Sequence, residues 1–321
     1  MTPSFHRTLV RTAAALTALC AGAAQAATFS TAYFFGDSLS DTGNVYAATG
    51  GVTPPSPYFN GRFSDGPVWV EYLAAGIGHA SAAQASLLGG NNYAWGGART
   101  SGGTSVPSVL AQVGSFLGST ASIDANALYV VVAGGNDMRD ARSGDPANIG
   151  AAATAATDNL KTAIGLLAAK GAKHVLVANL PDLGATPEAV ALGVTGVSTQ
   201  ATNAFNALMG GVVSYGQGIG LTMSFFDFAA LGAAVRTDAL TNGGAVYGIT
   251  NVTSPCGAFA GPTGASCSVS QFSDALHPSA ISHQFMGAAA VAAVPEPATY
   301  GLMALGLGVL AAVARRRQAA A

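Results

Sequence analysis

Two uninterrupted apolar runs constrain this chain more than any other feature. Residues 128–132 read Leu-Tyr-Val-Val-Val and residues 175–177 read Val-Leu-Val. A strand with one wet face alternates apolar and polar residues, whereas a run without a polar break must be covered on both faces, as central strands of a parallel sheet are. The surroundings agree. Candidate strands at 32–35, 127–133, 174–178 and 221–226 alternate with helix-like segments at 67–75, 107–117, 146–170, 188–215 and 278–292. Pro67, Pro107, Pro146 and Pro278 each suit the first turn of a helix, where no backbone N–H is needed. Strands alternating with helices predict an α/β fold, a parallel sheet covered by helices on both faces.

Composition narrows the function. Half of the 321 residues are hydrophobic and 9% are charged, which excludes a disordered chain. Thirteen Lys and Arg against 15 Asp and Glu leave no basic excess for nucleic acid.

The two ends read as export signals. Arg7 and Arg11 precede a short apolar run at 13–19, and Ala24-Gln25-Ala26 fits the small-x-small cleavage rule, so the mature chain is expected to start at Ala27. Near the other end come Val294-Pro295-Glu296-Pro297, an apolar stretch at 298–313, and Arg315-Arg316-Arg317. Sixteen apolar residues rise about 24 Å as a helix, slightly short of a bilayer core of about 30 Å. This triplet resembles the PEP-CTERM sorting signal of Gram-negative bacteria. The resemblance implies processing by signal peptidase and an exosortase, transient anchoring in the inner membrane, and delivery to the periplasm, outer surface or exopolysaccharide matrix. A plain tail anchor is the alternative. The expected organisation is a signal peptide at 1–26, one domain at 27–293 and a sorting segment at 294–321. Without the two ends, 8 basic and 14 acidic residues remain, a net charge near −6.

Cys20 leaves with the signal, so Cys256 and Cys267 are a pair in an exported chain, and a disulfide is expected. Without clustered His, no metal site is expected. Two long irregular segments, 49–65 and 243–272, are rich in turn-forming residues, and such loops are commonly functional or mobile.

No Gly-x-Ser-x-Gly elbow occurs. Instead Gly36-Asp37-Ser38-Leu39-Ser40-Asp41-Thr42-Gly43-Asn44 follows the first strand, which puts Ser38 at the sheet edge where α/β folds bind ligands. Gly36 would permit a tight turn there. Asp274 stands three residues before His277, a spacing that brings a carboxylate to Nδ1 and leaves Nε2 free as a base. Asn136, in Gly134-Gly135-Asn136-Asp137 after the strongest strand, can donate to a developing oxyanion. Asn92-Tyr93-Ala94-Trp95-Gly96-Gly97-Ala98 would bring a backbone N–H to the same point. Each alone also reads as an ordinary turn or helix cap.

Together, and in this order, the four segments resemble the GDSL or SGNH hydrolases over about residues 33–285. Gly61-Arg62-Phe63-Ser64-Asp65-Gly66-Pro67-Val68-Trp69 looks like the secreted phospholipase, lecithinase and hemolysin branch. The resemblance implies a three-layer, flavodoxin-like α/β/α sandwich and a carboxylic ester hydrolase without cofactor. It implies Ser38 as nucleophile, His277 as general base and acid, and Asp274 as its orienter. The oxyanion donors would be the Ser38 N–H, the Asn136 side chain and the N–H of Gly97 or Gly96, with the count from Asn92 favouring Gly97. The substrate would be a small-molecule or lipid ester, with Tyr58, Phe59, Phe63 and Trp95 as candidates for an acyl groove. An exopolysaccharide O-acetyl esterase, or a non-catalytic matrix protein on the same fold, are the competing readings.

Overall fold

The computed structural model describes residues 29–294 apart from Thr104 and Ala121. The expected signal peptide at 1–26 and the apolar and arginine segments at 298–317 lie outside the described residues. Among the described residues no helix is long and apolar enough to cross a membrane.

Four strands, β1 (Ala32–Gly36), β2 (Leu128–Val132), β3 (His174–Ala178) and β4 (Thr222–Phe226), form one sheet in that order. All neighbours run parallel, with Phe34 opposite Val130 and Val130 opposite Leu176. The expected continuous run in β2 is buried at every position, whereas edge strand β4 exposes Thr222 and Phe225. Between and after the strands lie α1 (Asn44–Ala48), α2 (Trp69–Gly76), α3 (Val109–Ser119), α4 (Gly135–Ser143), α5 (Ile149–Ala169), α6 (Pro187–Ala191), α7 (Thr195–Gly218), α8 (Phe228–Asn242), α9 (Gly257–Ala260) and α10 (Ala280–Ala293).

Side chains alternate across a strand, so each strand serves two cores. Phe35, Tyr129, Val131, Val175 and Val177 point to one face and pack with Val113 of α3, Leu160 and Ile164 of α5, and Phe205 and Met209 of α7. On the other face α2 packs against α10, and Trp69 meets Phe226 and Phe228 at ring-centroid distances of 6.4 and 5.3 Å. The result is the three-layer α/β/α sandwich with a parallel central sheet.

The helix starts differ from expectation in an instructive way. Of the four prolines expected in first turns, only Pro146 stands in one, that of the 3-10 turn Pro146–Asn148 leading into α5. Pro67, Pro107 and Pro278 instead precede the N-cap residues Val68, Ser108 and Ser279. A serine hydroxyl that accepts a first-turn N–H starts the helix better than proline does; Ser108 accepts from Ala111 N and Ser279 from Ser282 N. The single helix expected at 188–215 is broken between α6 and α7, where Gly193 takes φ +68°, a conformation that favours glycine.

Candidate active site

The C-terminal ends of β1 and β2 deliver the first two site residues. Ser38 follows β1 by two residues and Asn136 lies in the first turn of α4, four residues after β2. Gly36 is not a turn residue. It ends β1, and a side chain there would come within 2.5 Å of the Val132 carbonyl oxygen of β2, so glycine is demanded by close approach. Gln112 brackets it, accepting from Gly36 N and donating to Gly36 O, both at 2.9 Å. This fixes where the strand stops and the turn carrying Ser38 begins.

That turn is held by Asp41, which is fully buried. Its carboxylate accepts from Gly43 N at 2.8 Å, Asn44 N at 2.7 Å, Val45 N at 3.3 Å and, across to the second segment, Gly96 N at 2.8 Å. Burial pushes the Asp41 carboxyl up, while these four donors pull it down. Asn44 donates to the carbonyls of Asn92 and Ala94, and Asn92 donates to Ser40 O at 2.6 Å. The first and second segments are therefore one hydrogen-bonded block. Gly97, next along, has φ +81°.

Asp274 and His277 come from the turn before α10. His277 Nε2 lies 2.9 Å from Ser38 Oγ, and His277 Nδ1 lies 2.7 Å from Asp274 Oδ2. Asp274 Oδ1 accepts from Leu276 N at 2.7 Å and His277 N at 2.6 Å, so the carboxylate also shapes the turn that carries the histidine. Tyr58 Oη donates to Asp274 Oδ2 at 2.5 Å. Burial raises Asp274, but the bonds and charge of His277 and the Tyr58 bond outweigh it and hold the carboxyl well below the ordinary carboxylate range. Burial, then the neighbouring Asp274, pushes the Tyr58 phenol up.

The structure thus brings Ser38, His277 and Asp274 into one hydrogen-bonded line. Asn136 Nδ2 donates to Ala98 O at 2.9 Å, which joins α4 to the Gly96-Gly97 segment, and Asn136 Oδ1 accepts from Arg139 at 3.4 Å. Arg139 and Arg142 in turn pair with Glu188. Asp37, the residue before Ser38, is buried. Burial pushes its carboxyl up to about 6, against the opposing pull of the Leu39 N–H and the His277 charge. The Cys256 and Cys267 sulfurs lie 1.98 Å apart. Cys256 N donates to Ser273 O at 2.9 Å, beside Asp274, and Phe259 packs 4.8 Å from the Tyr58 ring.

Sequence reasoning quoted Asp41, Asn44 and Asn92 within their segments but gave them no role, and it missed Tyr58 as a partner of Asp274. The first three carried a signal: polar residues packed among glycines after a strand, where backbone N–H groups need acceptors. Tyr58 carried none beyond its place in a long loop.

A cavity of about 200 Å³ opens beside Ser38, Asn136 and His277. Its walls are mostly apolar and come from α8, α10 and the segment after β3. Tyr58, Phe59, Phe63 and Trp95, the candidates for an acyl groove, do not line it. Instead Tyr58 and Phe63 lie against one another, and the Phe63 ring sits 5.4 Å from that of His277, so these aromatics back the histidine.

The chain resembles known proteins over most of its described length. The profile of the GDSL-like lipase/acylhydrolase family matches residues 33–290, and that of the PEP-CTERM protein-sorting motif, the mark of an exported protein, matches residues 293–318. The chain is 32% identical over 187 residues to a phosphatidylcholine-sterol acyltransferase of Aeromonas hydrophila, covering 56% of this chain and 53% of that one. It is 29% identical over 231 residues to a thermolabile hemolysin of Vibrio parahaemolyticus, covering 69% of this chain and 50% of that one. The chain spans about half the length of these curated relatives. A solved lipolytic G-D-S-L family protein of Veillonella parvula superposes with a TM-score of 0.43 at 15% identity, covering 82% of this chain and 96% of that one.

Proposed function

The chain belongs to the GDSL-like lipase/acylhydrolase family, and from that premise we propose that it is an exported serine esterase working through an acyl-enzyme on Ser38. The observation that carries the reading is the line from Ser38 Oγ through His277 to Asp274, with contacts of 2.9 and 2.7 Å.

In the proposed reaction His277 Nε2 takes the Ser38 proton as Oγ attacks the ester carbonyl. Asp274 keeps the imidazole in the tautomer with its proton on Nδ1 and stabilises the imidazolium that forms. The carbonyl oxygen, now negative, is met by the Ser38 N–H, the second proton of the Asn136 amide and the Gly97 N–H. Gly97 is preferred over Gly96 because the Gly96 N–H is already engaged by Asp41. The alcohol leaves with the proton from His277, and water activated by the same histidine frees the acid.

The proposed organisation keeps a signal peptide at 1–26, the esterase domain at 27–293 and the sorting segment at 294–321, with exosortase processing at the last. Its destination would be the periplasm, outer surface or surrounding matrix.

The test uses the full-length chain and Ser38→Ala with p-nitrophenyl esters, beside labelling by a serine-reactive phosphonate. Turnover and labelling confined to the wild type are expected. A folded wild type that neither turns over nor is labelled would point to a binding role on the same fold.

A further inference from the structure

Resting on the serine-esterase reading, we propose that the cavity beside Ser38 is the acyl-chain site, and that the acyl group it takes is a fatty chain of several methylenes rather than acetyl. The observation behind this is a gap in one helix. Phe228, Leu231, Gly232 and Val235 of α8 all line the cavity. Their spacing of i, i+3, i+4 and i+7 makes them one face of the helix. Three of the four carry large apolar side chains and the fourth carries none. A Cβ built on Gly232 meets nothing nearer than Pro181 Cβ at 3.9 Å. The missing side chain is therefore a slot, at a position where glycine weakens the helix and a Cβ would meet only ordinary contact.

Leu183 after β3 and Phe285 and Met286 of α10 line the same cavity, so its walls offer apolar contact from several elements. Charged residues on the lining already have partners, Asp37 among them, which accepts from Leu39 N at 3.0 Å. Arg139 pairs with Glu188, Asp182 accepts from Gly184 N and Thr199 Oγ1, and Arg236 donates to Val252 O. The buried Gln271 Oε1 on the lining lacks a partner among the described residues. A sugar ring entering here would still surrender most of its hydrogen bonds to water for few in return, a cost an alkyl chain does not bear. The cavity also shares Ser38, Asn136 and His277 with the reacting centre, so a chain attached to the ester carbonyl reaches it without leaving the nucleophile. An acetyl group would leave the slot unfilled.

The experiment compares kcat/KM for p-nitrophenyl acetate, butyrate, octanoate and palmitate on the full-length wild type, Gly232→Leu and Val235→Ala. Each methylene that finds the apolar wall is expected to raise kcat/KM up to about fourfold, so octanoate should exceed acetate by at least about tenfold. Gly232→Leu, which fills the slot, should lower the octanoate-to-acetate ratio at least about tenfold. Val235→Ala, which enlarges it, should move the optimum to longer esters. Alkyl phosphonates of two and eight carbons give a second measurement on the wild type alone, the longer being expected to inactivate faster; this carries the test if Gly232→Leu fails to fold by circular dichroism. A Ser38-dependent enzyme that prefers acetate, or whose ratio Gly232→Leu leaves unchanged, overturns the acyl-site assignment alone, and the former outcome favours an O-acetyl substrate. A folded wild type that no phosphonate labels overturns the serine-esterase reading and this assignment with it.

Discussion

The two sides of the active site are held by different means. On the nucleophile side, Ser38 rides on a block in which short polar side chains, Asp41, Asn44 and Asn92, bond to backbone groups of their own and the adjoining segment. On the base side, Asp274 and His277 sit in a short turn propped by residues far away in sequence. Tyr58 reaches Asp274 across 216 positions, and Phe259, next to the Cys256–Cys267 pair, backs Tyr58. Glu188 N adds a third prop through Ala275 O at 2.7 Å. The first side is part of the folded core. The second is assembled from loops, so disturbing it should cost catalysis before it costs the fold.

Asp41→Ala tests the first half and should have the largest effect. Four backbone N–H groups would lose a buried acceptor at 1–3 kcal/mol each before relaxation, so chemical denaturation should show a loss on the order of 4 kcal/mol. A stable Asp41→Ala protein would break the comparison at its root. Asn136→Ala acts where the two sides meet. It should lower kcat about 10²–10³-fold while KM moves little, because the amide's second proton is called on only as the oxyanion develops; a rise in KM alone would count against that role.

Asp37→Asn separates stability from catalysis on the nucleophile side. The Asp37 carboxyl, raised to about 6 by burial, holds its proton in the folded chain at pH values where the unfolded chain has released it. The stability it contributes is present below about pH 4 and is lost as pH rises through 6. Asparagine has no proton to lose. Asp37→Asn should therefore match the wild type at pH 3.5 and exceed it by about 2–3 kcal/mol at pH 7.5. An equal difference at both pH values would mean that the carboxyl does not titrate in this window. Tyr58→Phe should have the smallest effect: a fall in kcat of about threefold to tenfold, with a change in melting temperature far below that of Asp41→Ala. If Tyr58→Phe destabilised the fold as much as Asp41→Ala, the two sides would not differ in kind.

The same division explains what the sequence disclosed. Strands β2 and β3 were legible because burial on both faces leaves no room for a polar residue in the run. The Ser38 segment was legible because polar residues and glycines crowd together directly after a strand, and the two histidine-turn residues because they stand three apart. Helix α8 was not legible. Its stripe is interrupted by Gly232 and surrounded by alanines, so the feature that opens the cavity also erased the helical pattern. Helix α4 was hidden because it begins on the Gly-Asn-Asp that reads as a turn. The role of Tyr58 depends on two loops meeting, which no spacing records. Tyr58, Phe59, Phe63 and Trp95 were expected as an acyl groove and do not line the cavity; Phe63 instead lies against His277, with Tyr58 behind it.

The layer formed by α2 and α10 has a consequence for timing. Trp69 and its neighbours on α2 are covered by a helix more than two hundred residues further along the chain, and that helix directly follows the turn carrying His277. As the chain is synthesised, the serine emerges near the beginning while its proton acceptor and the last apolar cover arrive together near the close. On the proposed reading, an arrested chain that stops short of residue 277 holds a nucleophile with no base, and one face of its sheet lacks the cover of α10. If Ser38 is armed by His277 as proposed, completion of the fold and arming of the serine are one event.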